Sequence, residues 1–475
     1  MTTPTMIITA RRPALLAGHD NELDVLVRVQ APDAPAELPK RNPLHLALVI
    51  DRSGSMSGQP LDEAKRCAEF VLDGLQATDR LSLVVYDNQV QTLVPTMLLH
   101  DKEFARRAIR AIDSGGSTDL HGGWFRGAET LAPHTKENIT SRVILLSDGC
   151  ANHGLLDHDQ IHAQCAEFAR AGVSTSTYGL GSGFNEELMI GMARHGQGSS
   201  YYGQTADDLM DPFREEFELL NALCARRVRL EVDAAAGVKV KMLNDYVADG
   251  DNAWLLPNLA FGGEAWAVVR LRVPSPVAAG DAEAAALSLC SFSLRYTTLD
   301  GEPRAIQPMS LALPALPASA FGAIAEDELV ARRTDELEAA YLQTKARAAA
   351  RRGDWAGVAR SLKRAERIAA NNPWVAESLN ELRELAARKD EVMFAKESAF
   401  SARVMNSRLA MRDELGSAYD APASAAYLRR KGSQGKAESA SVNILSVNAH
   451  CGTPERAIYS ATKGAVQTRT GNASN

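Results

Sequence analysis

Residues 44–55 read Leu44-His45-Leu46-Ala47-Leu48-Val49-Ile50-Asp51-Arg52-Ser53-Gly54-Ser55. The run to Ile50 is almost wholly apolar and does not alternate, which predicts a central parallel strand covered on both faces. The polar residues after it then lie at the strand's carboxyl end, the edge at which open α/β sheets bind ligands. Asp51, Ser53 and Ser55, at i, i+2 and i+4, can converge there with three oxygen-bearing side chains. Oxygen-only donors suit a hard cation such as Mg2+, which is held by a few protein oxygens and keeps several waters.

Two later segments complete the set. Gly115-Gly116-Ser117-Thr118-Asp119 is a Gly-rich loop with a hydroxyl, and Val143-Ile144-Leu145-Leu146-Ser147-Asp148-Gly149 is a second apolar strand ending in a carboxylate. Together these residues resemble the von Willebrand factor type A domain and its metal-ion-dependent adhesion site. That site comprises Asp-x-Ser-x-Ser, a Thr in a separate loop and an Asp after a hydrophobic strand. The matching positions are Asp51, Ser53, Ser55, Thr118 and Asp148. A competing reading makes Asp51 and Ser53 caps of the next helix, a place both residue types favour. That reading leaves Thr118 and Asp148 unexplained.

Strands and amphipathic helices alternate over 43–224, predicting a doubly wound, Rossmann-like α/β domain. Leu61, Ala64, Ala68, Val71, Leu72 and Leu75 recur at helical spacing in the first helix. The segments 81–86 and 89–94 are separated by Asp87-Asn88, which predicts a hairpin and one antiparallel edge strand, as the resemblance also implies. Helices at 101–113, 121–132, 158–171, 185–195 and 206–224 and strands at 142–147 and 173–179 follow. Gly179-Leu180-Gly181-Ser182-Gly183-Phe184 lies after a late strand and is read as a turn, since a dinucleotide fingerprint belongs at the first strand-to-helix turn.

Residues 5–12 and 22–30 read as two strands, and a lone hairpin is marginal in water. Alternating strands recur over 225–315 in the manner of an antiparallel β-sandwich. Residues 1–40 are therefore expected to join that sheet, making the α/β domain an insertion. The Pro-rich piece 31–39 serves as the link. A helical region follows over 322–413, with segments Glu326–Arg352, Trp355–Ala370, Pro373–Arg388 and Glu391–Arg412. Its 338–373 stretch loosely resembles one tetratricopeptide hairpin, although such units need about three repeats for stability. A generic helical hairpin docked on the sandwich, or a partner-binding module, is the preferred reading, and its basic residues sit among glutamates as a solvated face.

Residues 414–440 are rich in Ala, Ser and Gly, as a linker is. Beyond them, Ser446, Tyr459 and Lys463 resemble the catalytic segment of short-chain dehydrogenases, over about the last 35 residues. No glycine-rich nucleotide-binding unit precedes them, so nothing would position NAD(P). The tail is expected to be a displaced, disordered fragment.

The chain has 475 residues, more than one core supports. With 45% hydrophobic and 23% charged residues its composition is that of a folded protein. A net charge of −7 and a pI near 5.9 give no support to nucleic-acid binding. No apolar run is long enough for a membrane-spanning helix, and the N-terminus lacks a secretory pattern. The 6 cysteines, without metal-type spacing, suit a reducing cytoplasm. The expectation is thus a non-enzymatic, cytoplasmic module holding Mg2+ (or Mn2+ or Ca2+) and binding a partner Asp or Glu, as the resemblance implies. A metal-dependent adaptor for an AAA+ ATPase or chelatase, then a structural scaffold, and last a short-chain dehydrogenase-type activity of the tail, are the alternatives.

Overall fold

The computed structural model describes residues 3–411 except 34, 36–40, 137, 149–150, 181–184, 204, 277–285, 371 and 408. The linker and the tail with Ser446, Tyr459 and Lys463 lie outside the described residues, as do Cys150, Cys451 and the turn 181–184.

Strand Leu44–Asp51 is buried along its whole length, as its continuous apolar run requires of a strand with helices on both faces. It pairs in parallel with Arg80–Tyr86 on one side and Thr140–Ser147 on the other. The six-stranded sheet continues through Val173–Leu180 to Gln197–Gly203 at one edge and ends at the antiparallel strand Val90–Leu98 at the other. The hairpin around Asp87-Asn88 is therefore present.

Strand Gln197–Gly203 replaces a stretch with no expected element. Its sequence QGSSYYG lacks an apolar run because it is an edge strand. Gly198 lies so close to its neighbour that a Cβ would stand 2.1 Å from the Thr175 carbonyl oxygen.

Helices Gln59–Gly74, Lys102–Arg110 and Ala206–Asn221 cover one face of the sheet. Helices Leu120–Leu131, His158–Arg170 and Glu186–His195 cover the other. Leu46, Leu48 and Ile50 point into the first core, Ala47 and Val49 into the second. Each fully buried Leu, Ile or Val contributes about 1.5–3 kcal/mol. On the second face the helix approaches the sheet closely through glycine. A Cβ at Gly123 would fall 2.2 Å from Tyr86 Cδ1, and one at Gly127 would fall 2.4 Å from Val49 Cγ2.

Two antiparallel sheets lie outside this domain in sequence. Strands Thr5–Ala10 and Asn21–Gln30 form a hairpin, and the second pairs over ten residues with Gly263–Val273. The other sheet is built on Leu223–Ala234, Leu287–Thr297 and Pro303–Leu313. Val25, Val27, Val29, Ala267, Val269 and Leu271 from the first share one apolar core with Leu230, Val232, Phe292 and Leu294 from the second.

The helical region holds Glu328–Ala350, Trp355–Ala369, Pro373–Arg388 and Glu391–Ser407. Each packs on the next, and the last returns to the first, closing an array around Leu342, Ala346, Val358, Leu362, Leu379 and Phe394. This is more than a single hairpin, and no repeat array follows among the described residues. Among the described residues no helix is long and apolar enough to cross a membrane. Cys67, Cys165, Cys224 and Cys290 are free thiols.

Candidate metal centre

The parallel register brings the candidate residues to one edge of the sheet. Asp51 pairs with Tyr86, and Ile50 with Leu146, so Ser147 ends its strand beside Asp51 and Asp148 follows it. Thr118 stands in the loop before helix Leu120–Leu131, which Asp119 caps by accepting from the Gly122 amide at 2.9 Å. That loop joins the Asp51 segment through Gly54 N donating to Gly116 O at 2.8 Å.

Asp51 is fully buried, and its carboxylate accepts from three groups of the chain. Oδ1 accepts from the Ser53 amide at 2.9 Å. Oδ2 accepts from Ser147 Oγ at 2.6 Å and Tyr86 OH at 3.2 Å. Ser53 Oγ lies 3.2 Å from Ser55 Oγ. Ser53, Thr118 and Asp148 are 1%, 1% and 7% exposed, while Ser55 faces solvent.

The electrostatics of this edge are unbalanced. Burial pushes the Asp51 carboxyl up to about 6, the bonds from Ser147 and Ser53 oppose the rise, and the charge of Asp148 adds to it. Burial, with Asp51 adding, also raises the Tyr86 hydroxyl well above its usual value, so it stays a donor. A buried carboxylate beside a second one is an arrangement that a bound cation relieves. The donors are two carboxylates and three hydroxyls, all hard oxygens, which suit Mg2+, Mn2+ or Ca2+. Among the described residues no group of three or more His, Cys, Asp or Glu gathers as a metal cluster.

The capping alternative does not describe these side chains. The short turn Gly54–Met56 follows Ser53 without a side-chain cap bond, and helix Gln59–Gly74 begins at Gly58 with none either. Sequence reasoning missed Ser147 and Tyr86 as partners of Asp51. Ser147 was within reach, since it closes the strand expected next to Leu44–Ile50. Tyr86 required the register.

The von Willebrand factor type A domain model matches residues 45–215. An uncharacterized protein of Synechocystis sp. is 29% identical over 196 residues, 41% of this chain and 46% of its own length. The uncharacterized protein YfbK of Escherichia coli is 27% identical over 229 residues, 47% of this chain and 39% of its own. Human inter-alpha-trypsin inhibitor heavy chain H3 is 28% identical over 194 residues, 38% of this chain and 22% of its own. The match thus spans less than half the length of each of these relatives.

Among solved structures, a von Willebrand factor type A protein from Catenulispora acidiphila superposes with a TM-score of 0.66 at 16% identity. It covers 85% of this chain and 97% of its own. The ArnB paralog VWA2 from Sulfolobus acidocaldarius gives a TM-score of 0.57 at 17% identity, over 85% of this chain and 99% of its own. At such identities the likeness is one of fold, and it extends well past the α/β domain. The chain contains a von Willebrand factor type A domain.

Proposed function

We propose that the domain is a divalent-cation-dependent protein-binding module, carried by an α/β unit inserted between the strands of a β-sandwich. Asp51, Ser53, Ser55, Thr118 and Asp148 would hold Mg2+, directly or through water. The observation that supports this most is the fully buried Asp51 carboxylate at the sheet edge beside Asp148, oriented by the Ser53 amide on Oδ1 and by Ser147 and Tyr86 on Oδ2. Such a carboxylate costs stability unless a cation balances it.

The bound cation would supply a point of positive charge at which a partner's Asp or Glu carboxylate binds. The chain's own groups do the rest. Ser147 and Tyr86 orient Asp51, the Ser53 amide fixes its other oxygen, and exposed Ser55 leaves the site open toward solvent. The match of residues 45–215 to a domain that typically mediates protein–protein contacts supports the same reading. We read the module as non-enzymatic, and its metal as Mg2+ or its oxygen-loving relatives.

The test is an affinity capture with full-length bait in Mg2+, in chelator, and with Asp51→Ala bait. The reading expects at least one partner retained only by the wild type in Mg2+. Identical partners in all three arms would overturn it.

A further inference from the structure

Thr118 stands in a loop remote in sequence from the strand that carries Asp51, so something must hold that loop in place. Two residues outside the motif do so from opposite sides. On one side, Asn152 pairs with the Thr118 backbone both ways: its Oδ1 accepts from Thr118 N at 2.8 Å, and its own N donates to Thr118 O at 3.1 Å. The His153 amide also donates to Thr118 O, at 3.1 Å. This ties the loop after Asp148 to the loop of Thr118.

On the other side stands Asp87, 6% exposed, in the hairpin after Tyr86. Its carbonyl accepts from Asp119 N at 2.8 Å, and its Oδ1 accepts from Gln89 N at 2.7 Å. Its Oδ2 faces Arg52 Nε at 3.3 Å. Arg52 in turn accepts from Gly115 N through its carbonyl at 2.6 Å. The packing is close at 115, where a Cβ would lie 1.9 Å from Asp87 Oδ2 and would push that carboxylate from its place. At Gly116 a Cβ would lie 2.6 Å from Asn88 Oδ1. The sequence therefore uses two glycines to seat this loop directly on the hairpin.

We propose that Asp87 and Asn152 are positioning residues that clamp the 115–119 loop from its two sides, so that Thr118 stands at the sheet edge before any ligand arrives. In giving Thr118 the role of a ligand this rests on the metal-holding reading above; the clamp itself does not. Outer partners of this kind typically govern metal affinity by 10–100-fold.

The experiment measures amide hydrogen exchange of residues 115–119 in chelator, and Mn2+ affinity by titration, on the full chain. Asn152→Ala, which removes the acceptor of the Thr118 amide, and Asp87→Ala, which keeps the carbonyl that accepts from Asp119 but removes the carboxylate that holds Gln89 and Arg52, are each expected to speed exchange of the Thr118 and Asp119 amides and to weaken Mn2+ binding about ten-fold, with the Leu44–Ile50 amides unchanged as the folding control. Asn152→Asp keeps the Oδ1 acceptor and should keep the protection. The charge-balanced pair Arg52→Ala with Asp87→Ala should match Asp87→Ala, which separates placement from simple electrostatics. In a Thr118→Ala background neither clamp variant should weaken Mn2+ further. Unchanged exchange in both single variants, or affinity losses that add in full to that of Thr118→Ala, would overturn the clamp. Faster exchange in the variants with no Mn2+ binding by the wild type would support the clamp while sinking the metal reading.

Discussion

Replacing Asp51 by Asn should stabilise the metal-free protein at neutral and alkaline pH. The Asp51 carboxyl is raised from 3.8 to about 6, chiefly by burial. Its ionised form is therefore disfavoured in the folded state by roughly two pKa units, worth about 3 kcal/mol. Because the folded value lies above the unfolded one, this penalty is complete above about pH 6. It shrinks as the pH falls and is gone below about 4, where both states are protonated. Asparagine carries no charge and escapes the penalty, but its amide presents donors where Ser147 and Tyr86 also donate to Oδ2. That mismatch costs about 1–2 kcal/mol. The net gain expected in chelator at pH 8 is thus about 1–2 kcal/mol, becoming a loss near pH 4. The assay is equilibrium hydrogen exchange of the Leu44–Ile50 amides, which report opening of this domain alone. Saturating Mg2+ should stabilise the wild type and leave Asp51→Asn unmoved. A variant less stable than wild type at pH 8 in chelator, with no dependence of the gap on pH, would refute the argument that Asp51 is held charged against a burial cost.

Other groups in the same domain make separate predictions. His45 is buried and held down to about 4, first by burial and then by the charges of Arg80 and His134. Stability should be intact above about pH 6.5 and fall by up to about 3 kcal/mol on the way to pH 4; urea titrations of His45→Leu should show this part of the slope removed. Glu216 accepts from Arg142, from Ser176 and from Tyr178 in a fully enclosed network. Glu216→Ala strands the Arg142 charge and should cost about 3–5 kcal/mol by urea unfolding, whereas an effect below about 1 kcal/mol would show that water reaches it. Gly123→Ala drives a methyl into Tyr86 and should cost about 1–3 kcal/mol by thermal melting. It should also weaken metal binding by moving the Tyr86 hydroxyl off Asp51.

The parts of this molecule that were legible in the sequence are those where one physical requirement dominates. Leu44–Ile50 must be a doubly covered strand because nothing else buries such a run, and Asp51, Ser53 and Ser55 then fall at its end by spacing alone. Gln197–Gly203 was not legible, because an edge strand needs backbone partners rather than apolar side chains. The partners of Asp51 depend on register, which sets Tyr86 level with it and Ser147 one residue past the Ile50–Leu146 pair. The clamp on Thr118 was hidden for a different reason. Asn152 and Asp87 act through backbone groups of a loop, and only the crowding at Gly115 and Gly116 betrays how close those loops lie. In the helical region, periodicity marks each helix, while closure of the array depends on buried polar residues such as Gln343, Ser378 and Ser401, which sequence patterns assign to the surface.

The account rests most directly on whether these five side chains hold a divalent cation. Titration of Mg2+, followed by calorimetry, into the wild type and into Asp51→Ala, Thr118→Ala and Asp148→Ala settles it. The account predicts one saturable site in the wild type, abolished by Asp51→Ala and Asp148→Ala and weakened by Thr118→Ala, with all four proteins folded. A wild type that binds no Mg2+, Mn2+ or Ca2+ at millimolar concentration, or an Asp51→Ala protein that binds as tightly as the wild type, would contradict it.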